Sequence, residues 1–237
     1  MRLDFANERV LAVMAHPDDA ELLCAGTLAR AKADGATIGV CVMCAGDKGL
    51  PPGEKHAGLA DARRAEAKAA AEVIGATLYW FASPDGELAD TATNRRQLTE
   101  IYRQFRPTLV LAHDPADYHP DHRAASALAE AASWFAASRG QESASAAIEA
   151  PPAVWFADTV DMLGFAAEFY VDVSAELTVK EKMLHCHKTQ LMRQGDRDFA
   201  PLAELMLRQA AARGAQAGVK AAEAFRACGT FKRARAW

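Results

Sequence analysis

Two short segments of this 237-residue chain carry the residue types that hold metal ions and move protons. The first reads Ala15-His16-Pro17-Asp18-Asp19-Ala20-Glu21, and the second His113-Asp114-Pro115-Ala116-Asp117-Tyr118-His119-Pro120-Asp121-His122. In the first, a helix opened by Pro17 sets His16 at its entrance and Asp19 three residues on, so both side chains reach one ion. Asp18 points elsewhere, which leaves its carboxylate free to take a proton from water. In the second, one histidine supplies a third ligand while the other stays free. Two histidines and one carboxylate around an open position are the ligand set of a catalytic zinc, not of a closed structural site. An acidic helix N-terminus would account for Asp18 or Asp19 through capping and the helix dipole, but not for a second histidine-rich segment.

Both segments follow apolar runs that read as buried strands. RVLAVMA (9–15), TIGVCVM (37–43), TLYWF (77–81) and TLVLA (108–112) alternate with helices expected near 19–34, 58–74, 93–105 and 122–139. Continuous apolar strands separated by helices imply a Rossmann-like, mostly parallel α/β sheet with helices on both faces. In such a sheet, ligands sit beyond the carboxyl ends of the strands, where both segments lie. A polar loop over 140–152 precedes strands near 153–157 and 169–173. Thr178 and Glu181 have capping-box spacing ahead of a helix to about 194, and further helices are expected near 201–213 and 217–227. Length favours a single domain over 1–237.

The residues resemble the PIG-L/LmbE-like zinc-dependent deacetylases. The likeness rests on HPDD followed by AEL and on the later HPDH. It extends through Ala45 to Gly49, Arg63-x-x-Glu66-Ala67, Ser83 to Leu88, Tyr170 to Ser174, Cys186 to Gln190, and Gly218 to Arg226. It implies removal of an acetyl or other acyl group from an N-acetylglucosamine-type conjugate, with one zinc per chain or another divalent metal in its place. It also implies His16, Asp19 and His122 as metal ligands, Asp18 as general base, a protonated His119 polarising the carbonyl or assisting the leaving amine, and Asp121 orienting a histidine. Arg63, Asp47 and His187 become substrate-binding candidates, the loop 140–152 and the C-terminal helices the determinants of the substrate's substituent, and a trimer or hexamer the expected assembly. One departure is the stretch Cys24-Ala25-Gly26-Thr27, where the family commonly has paired glycines.

Composition agrees with a small-molecule enzyme. A net charge of −4 and a pI near 6.0 give no pull towards nucleic acid or anionic membrane. The first turn after strand one lacks G-x-G-x-x-G and is acidic, which excludes a dinucleotide site. Five cysteines, an odd number, and a charged start without an apolar leader are read as a reduced, cytoplasmic protein with no membrane span. Cys41 and Cys44, three apart in a strand, face opposite sides and read as core thiols. Trp80, Trp134 and Trp155 read as core, with Trp155 and Tyr118 also candidates for a pocket wall. Rival readings are a metal phosphoesterase, which needs further carboxylates to bridge a second ion, and a silent metal- or sugar-binding homologue.

Overall fold

The computed structural model describes residues 4–50, 53, 57–193 and 201–229. Strands β1 (Arg9–Met14), β2 (Thr37–Cys44), β3 (Thr77–Ser83), β4 (Leu109–Ala112), β5 (Ala153–Ala157), β6 (Phe169–Asp172) and β7 (Ala222–Ala227) form one sheet ordered β3-β2-β1-β4-β5-β7-β6. All neighbouring pairs are parallel except those of β7, which runs antiparallel to both β5 and β6. The order reverses between β1 and β4, the switch point at which the loops of two adjacent strands part and leave a crevice.

Side chains alternate across the sheet and build a core on each face. Val10, Ala12, Met14, Ile38, Val40, Leu109 and Leu111 pack into one layer with Leu28, Met183 and Met206. That layer holds the helices α1 (Asp19–Leu23), α2 (Ala25–Ala33), α3 (Leu59–Val73), α6 (Leu177–Leu184) and α8 (Leu202–Ala217). Leu11, Val13, Cys41, Met43, Val110 and Ala112 face the other way, onto α4 (Ala92–Phe105) and α5 (Pro120–Ala137) through Leu98, Tyr102 and Leu128.

Three expectations are corrected. Residues 217–227 do not form a helix: Gly218, at φ 71°, closes α8, and residues 222–227 form β7. Alanine favours helix, but a strand buried on both faces between β5 and β6 gains more from pairing than propensity offers. The helix expected over 178–194 is broken into α6 and a short α7 (Lys188–Leu191), and its N-cap is Glu176, so the Thr178 and Glu181 pair lies inside α6. Cys41 and Cys44 share a face because the β2–β3 register shifts between Val42 and Cys44. Trp237 lies outside the described residues.

The glycine kept in the stretch Cys24-Ala25-Gly26-Thr27 has a packing reason. A Cβ at Gly26 would stand 2.7 Å from Val173 Cβ and 3.0 Å from Glu223 Oε1, so α2 lies against the end of β6 with no room for a methyl group. Gly26→Ala is expected to destabilise the protein by about 1–3 kcal/mol, the usual cost of overpacking, read as a lower urea midpoint at unchanged m-value.

Candidate active site

The loops after β1 and β4 meet at the switch point. Asp18 is the N-cap of α1 in a left-handed conformation, φ 103°, which turns Asp19 back so that its Oδ2 accepts the His16 backbone N–H at 2.7 Å. His119 caps α5, its Nδ1 accepting the Asp121 N–H at 3.1 Å, and Pro120 opens that helix. These turns bring His16, Asp19 and His122 together.

Their geometry fits a metal ion. His16 Nδ1 lies 3.3 Å from His122 Nε2 and 3.4 Å from Asp19 Oδ2, and His122 Nε2 lies 3.4 Å from the same oxygen. Bonds of about 2.0–2.2 Å to a tetrahedral ion set ligand atoms roughly 3.3–3.5 Å apart. The outer nitrogen of each ring is engaged by a carboxylate: His16 Nε2 with Asp121 Oδ2 at 3.1 Å, and His122 Nδ1 with Asp117 Oδ1 at 3.0 Å. With those protons donated outward, three lone-pair atoms converge with no hydrogen between them, an arrangement that a cation satisfies. Asp121 is itself held by the Gly86 N–H at 2.6 Å and the Leu88 N–H at 3.3 Å, which gives the Ser83–Leu88 segment its part in the site.

Electrostatics agree. Burial disfavours a charged His16, but its bonds to Asp121 and Asp19 outweigh that and raise its pKa, so the spot favours positive charge. Burial likewise opposes the Asp19 carboxylate, and His122 and His113 override it, holding its pKa well below the usual range. Asp18 behaves differently: burial pushes it up to about 6, against the pull of Arg63, whose Nη2 donates to Asp18 Oδ2 at 3.1 Å and also bonds Pro17 O. Burial, with His16 and His122 nearby, lowers the pKa of His119. With Nδ1 accepting a backbone N–H, the neutral form of this ring carries its proton on Nε2.

The cavity over this cluster encloses about 650 Å³, within the range that takes a small-molecule ligand, and His16, Asp18, Asp19, Arg63, His119 and His122 all line it. Tyr118, a candidate for the wall, lines it too, and Lys48, Asp85 and Gln190 do so where expectation named others. Asp47 is not on the wall; its carboxylate accepts the Asp85 N–H at 2.8 Å and braces the β2 and β3 loops. His187 is fully buried behind the wall, 3.2 Å from Glu21, and Gln190 reaches the cavity from the same segment. Trp155 is core, packed on Phe5, Phe169 and Phe225, whereas Trp134 is partly exposed. The 140–152 loop is tied to α4 through Glu100 and Arg103 and contributes nothing to this wall.

The role of one residue escaped the sequence reading, while His113 is the buried, hydrogen-bonded histidine expected at the end of strand four. Asp117 holds His122, though its spacing from that histidine follows no helical or strand period. His113 is fully buried, stacked on His122 at 3.9 Å and 3.2 Å from Asp19 Oδ2. Its Nε2 accepts the Ala15 N–H at 3.0 Å, so that lone pair is occupied, and burial, foremost, lowers its pKa to about 4.

The family described as PIG-L, GlcNAc-PI de-N-acetylase, matches residues 11–133, a span that contains both histidine segments. The chain belongs to this family. Among relatives, a 4-oxalmesaconate hydratase of Pseudomonas putida is 32% identical, with 62% of this chain and 59% of that protein covered. A diacetylchitobiose deacetylase of Thermococcus kodakarensis is 28% identical over 77% of this chain and 70% of its own. The chain thus spans about three fifths to three quarters of the length of such relatives. The solved 4-carboxy-2-hydroxymuconate hydratase of Pseudomonas putida superposes with a TM-score of 0.81 at 25% identity, covering 96% and 98% of the two chains. No helix among the described residues is long and apolar enough to cross a membrane.

Proposed function

We propose that this protein is a zinc-dependent hydrolase that removes the acetyl group from the amide nitrogen of an N-acetylglucosamine-type conjugate. The observation that carries the reading is the convergence of His16 Nδ1, Asp19 Oδ2 and His122 Nε2 on one point at the floor of the cavity, with Asp18 beside it. The deacetylases among its relatives supply the substrate class. Zinc held by those three groups supplies a Lewis acid that acidifies water and polarises an amide carbonyl.

The chain's own residues do the rest. Asp18 accepts the proton of the attacking water as its oxygen bonds to the carbonyl carbon, and the His119 Nε2–H donates to the oxygen where charge develops. The C–N bond then breaks and Asp18, now a carboxylic acid, returns its proton to the departing amine, releasing acetate and the free amino sugar. Arg63 keeps Asp18 aimed, and Asp121 and Asp117 fix the rings of His16 and His122. A phosphoesterase with a second ion is disfavoured because the carboxylates left to bridge are engaged, Asp114 with Arg226 at 2.5 Å and Asp117 with His122.

The test is amine release from free N-acetylglucosamine, chitobiose, lipid-linked and thiol-precursor glycosides, each with a chelator-treated control. Zinc-dependent release from one conjugate is the expected result, and release unaffected by the chelator would overturn the reading. A pH dependence follows from Asp18. Its carboxylate form is the base, so kcat/KM falls as pH drops through about 6. Arg63 stabilises that form, so in Arg63→Met the acid limb moves to higher pH.

A second reading is hydration of an unsaturated polycarboxylate. It is favoured by the end-to-end likeness to the hydratase and by Lys48, Arg63 and Arg193 on the cavity wall, cations suited to carboxylates. Loss of the conjugated acid's ultraviolet absorbance without amine release from any sugar would establish it in place of the deacetylase.

A further inference from the structure

The cavity has two chemically different ends, and the sheet order says which elements make each. Moving outward from the switch point through β1 and β2 to β3, the loops contribute Lys48 and Asp85, joined by Arg63 from α3 and by Gln190, whose Nε2 donates to Gly49 O at 3.0 Å. Moving the other way, through β4 to β5, the lining becomes Tyr118 and Val160, and α8 adds Leu202 and Leu205. Leu22 joins that end, because α1 packs on α8. Among the described residues lining that side the one acid, Asp161, is exposed on the rim of the β5–β6 loop. His16, Asp19 and His122 lie between the two ends.

Resting on the deacylase reading, we infer that the apolar end is a subsite for the acyl chain of the substrate, and that the enzyme takes N-acyl amino sugars with chains longer than acetyl. In an N-acyl amino sugar the ring and the acyl chain leave the carbonyl carbon in opposite directions. The ring, with its hydroxyls, needs donors and acceptors, and these are at the Lys48, Asp85 and Gln190 end. The chain on the far side of the carbonyl then lies against Leu22, Val160, Leu202 and Leu205. Leu22, Leu202 and Leu205 are themselves only 5–8% exposed, so the gain lies in the acyl chain: each added methylene that leaves water against them contributes to binding and to the transition state alike. Tyr118, 63% exposed beside Val160, gives a longer chain an aromatic edge at the mouth.

The experiment is a series of N-acyl glucosamines, acetyl, butyryl, hexanoyl and octanoyl, hydrolysed by the zinc-loaded protein, with octyl N-acetylglucosaminide as an arm that carries its chain on the anomeric oxygen instead. The expected result is a kcat/KM that rises up to about fourfold per methylene, reaching roughly 10²-fold at hexanoyl, with no comparable gain from the octyl glycoside. In Leu205→Gln the ratio of hexanoyl to acetyl rates collapses towards one; because both rates come from the same preparation, partial loss of folded protein cancels. Turnover that is flat or falling with chain length overturns the subsite and leaves the deacylase reading standing, as does a gain confined to the octyl glycoside. No turnover of any amide in the series overturns the subsite, and it overturns the deacylase reading as well only when the chitobiose, lipid-linked and thiol-precursor glycosides are also left intact.

Discussion

Asp18→Asn is expected to keep one zinc per chain and to lose about 10²–10⁴-fold in kcat, the usual contribution of a general base. Asparagine tolerates the left-handed backbone at φ 103° that this position adopts, so the exchange removes the base without disturbing the turn. His16→Ala is expected to do the reverse and lose the ion itself, and Asp121→Asn, which weakens only the support of His16, to lower zinc affinity by about 10–100-fold. Metal content of dialysed protein, measured beside single-turnover amine release, separates the three. A fully active Asp18→Asn would sink the mechanism, and a His16→Ala protein that retains stoichiometric zinc would sink the assignment of the ligands.

The second large effect lies away from the site. Lys180 and Glu223 form an ion pair at 2.5 Å that is almost wholly buried between α6, α2 and β7. Glu223 also accepts the Gly26 and Thr27 N–H groups at the start of α2, and Lys180 donates to Leu22 O. Removing one partner strands a charge away from water, so Glu223→Ala and Lys180→Met are each expected to destabilise the protein by about 3–5 kcal/mol in urea denaturation. The double variant Lys180→Met with Glu223→Ala buries no charge and is expected to cost less than the sum of the two changes. Strict additivity would show that the two side chains do not act as a pair.

Much of this arrangement was legible in the sequence for physical reasons. Buried parallel strands must be apolar on both faces, so RVLAVM and TLVLA announced themselves. His16, Asp18 and Asp19 were visible as chemistry because a strand end is where a parallel sheet presents its loops. What stayed hidden depended on distant neighbours. Residues 222–227 are alanine-rich and became a strand because β5 and β6 left a slot for one. Asp117 meets His122 by the path of a loop, which no periodicity encodes. His187 lies on a helical segment whose break at 185–187 turns it inward towards Glu21, so the side chain that reaches the cavity is Gln190.

The adjacency of β1 and β4 also sets a timetable. His16 and His122 are 106 residues apart in sequence, yet their ring nitrogens meet at 3.3 Å. At about 5–20 residues per second, some 5–20 s of synthesis separate the first ligands from the last. A nascent chain that has made only β1 to β3 cannot close the centre, and an ion gains a tight grip only after β4 has paired with β1 and α5 has docked. On the proposed reading, a bound ion would tie across that long loop, stabilising the finished fold with the logarithm of its free concentration and leaving the early folding steps untouched. Zinc starvation should therefore lower the persistence of completed molecules, not the yield of the first folding events.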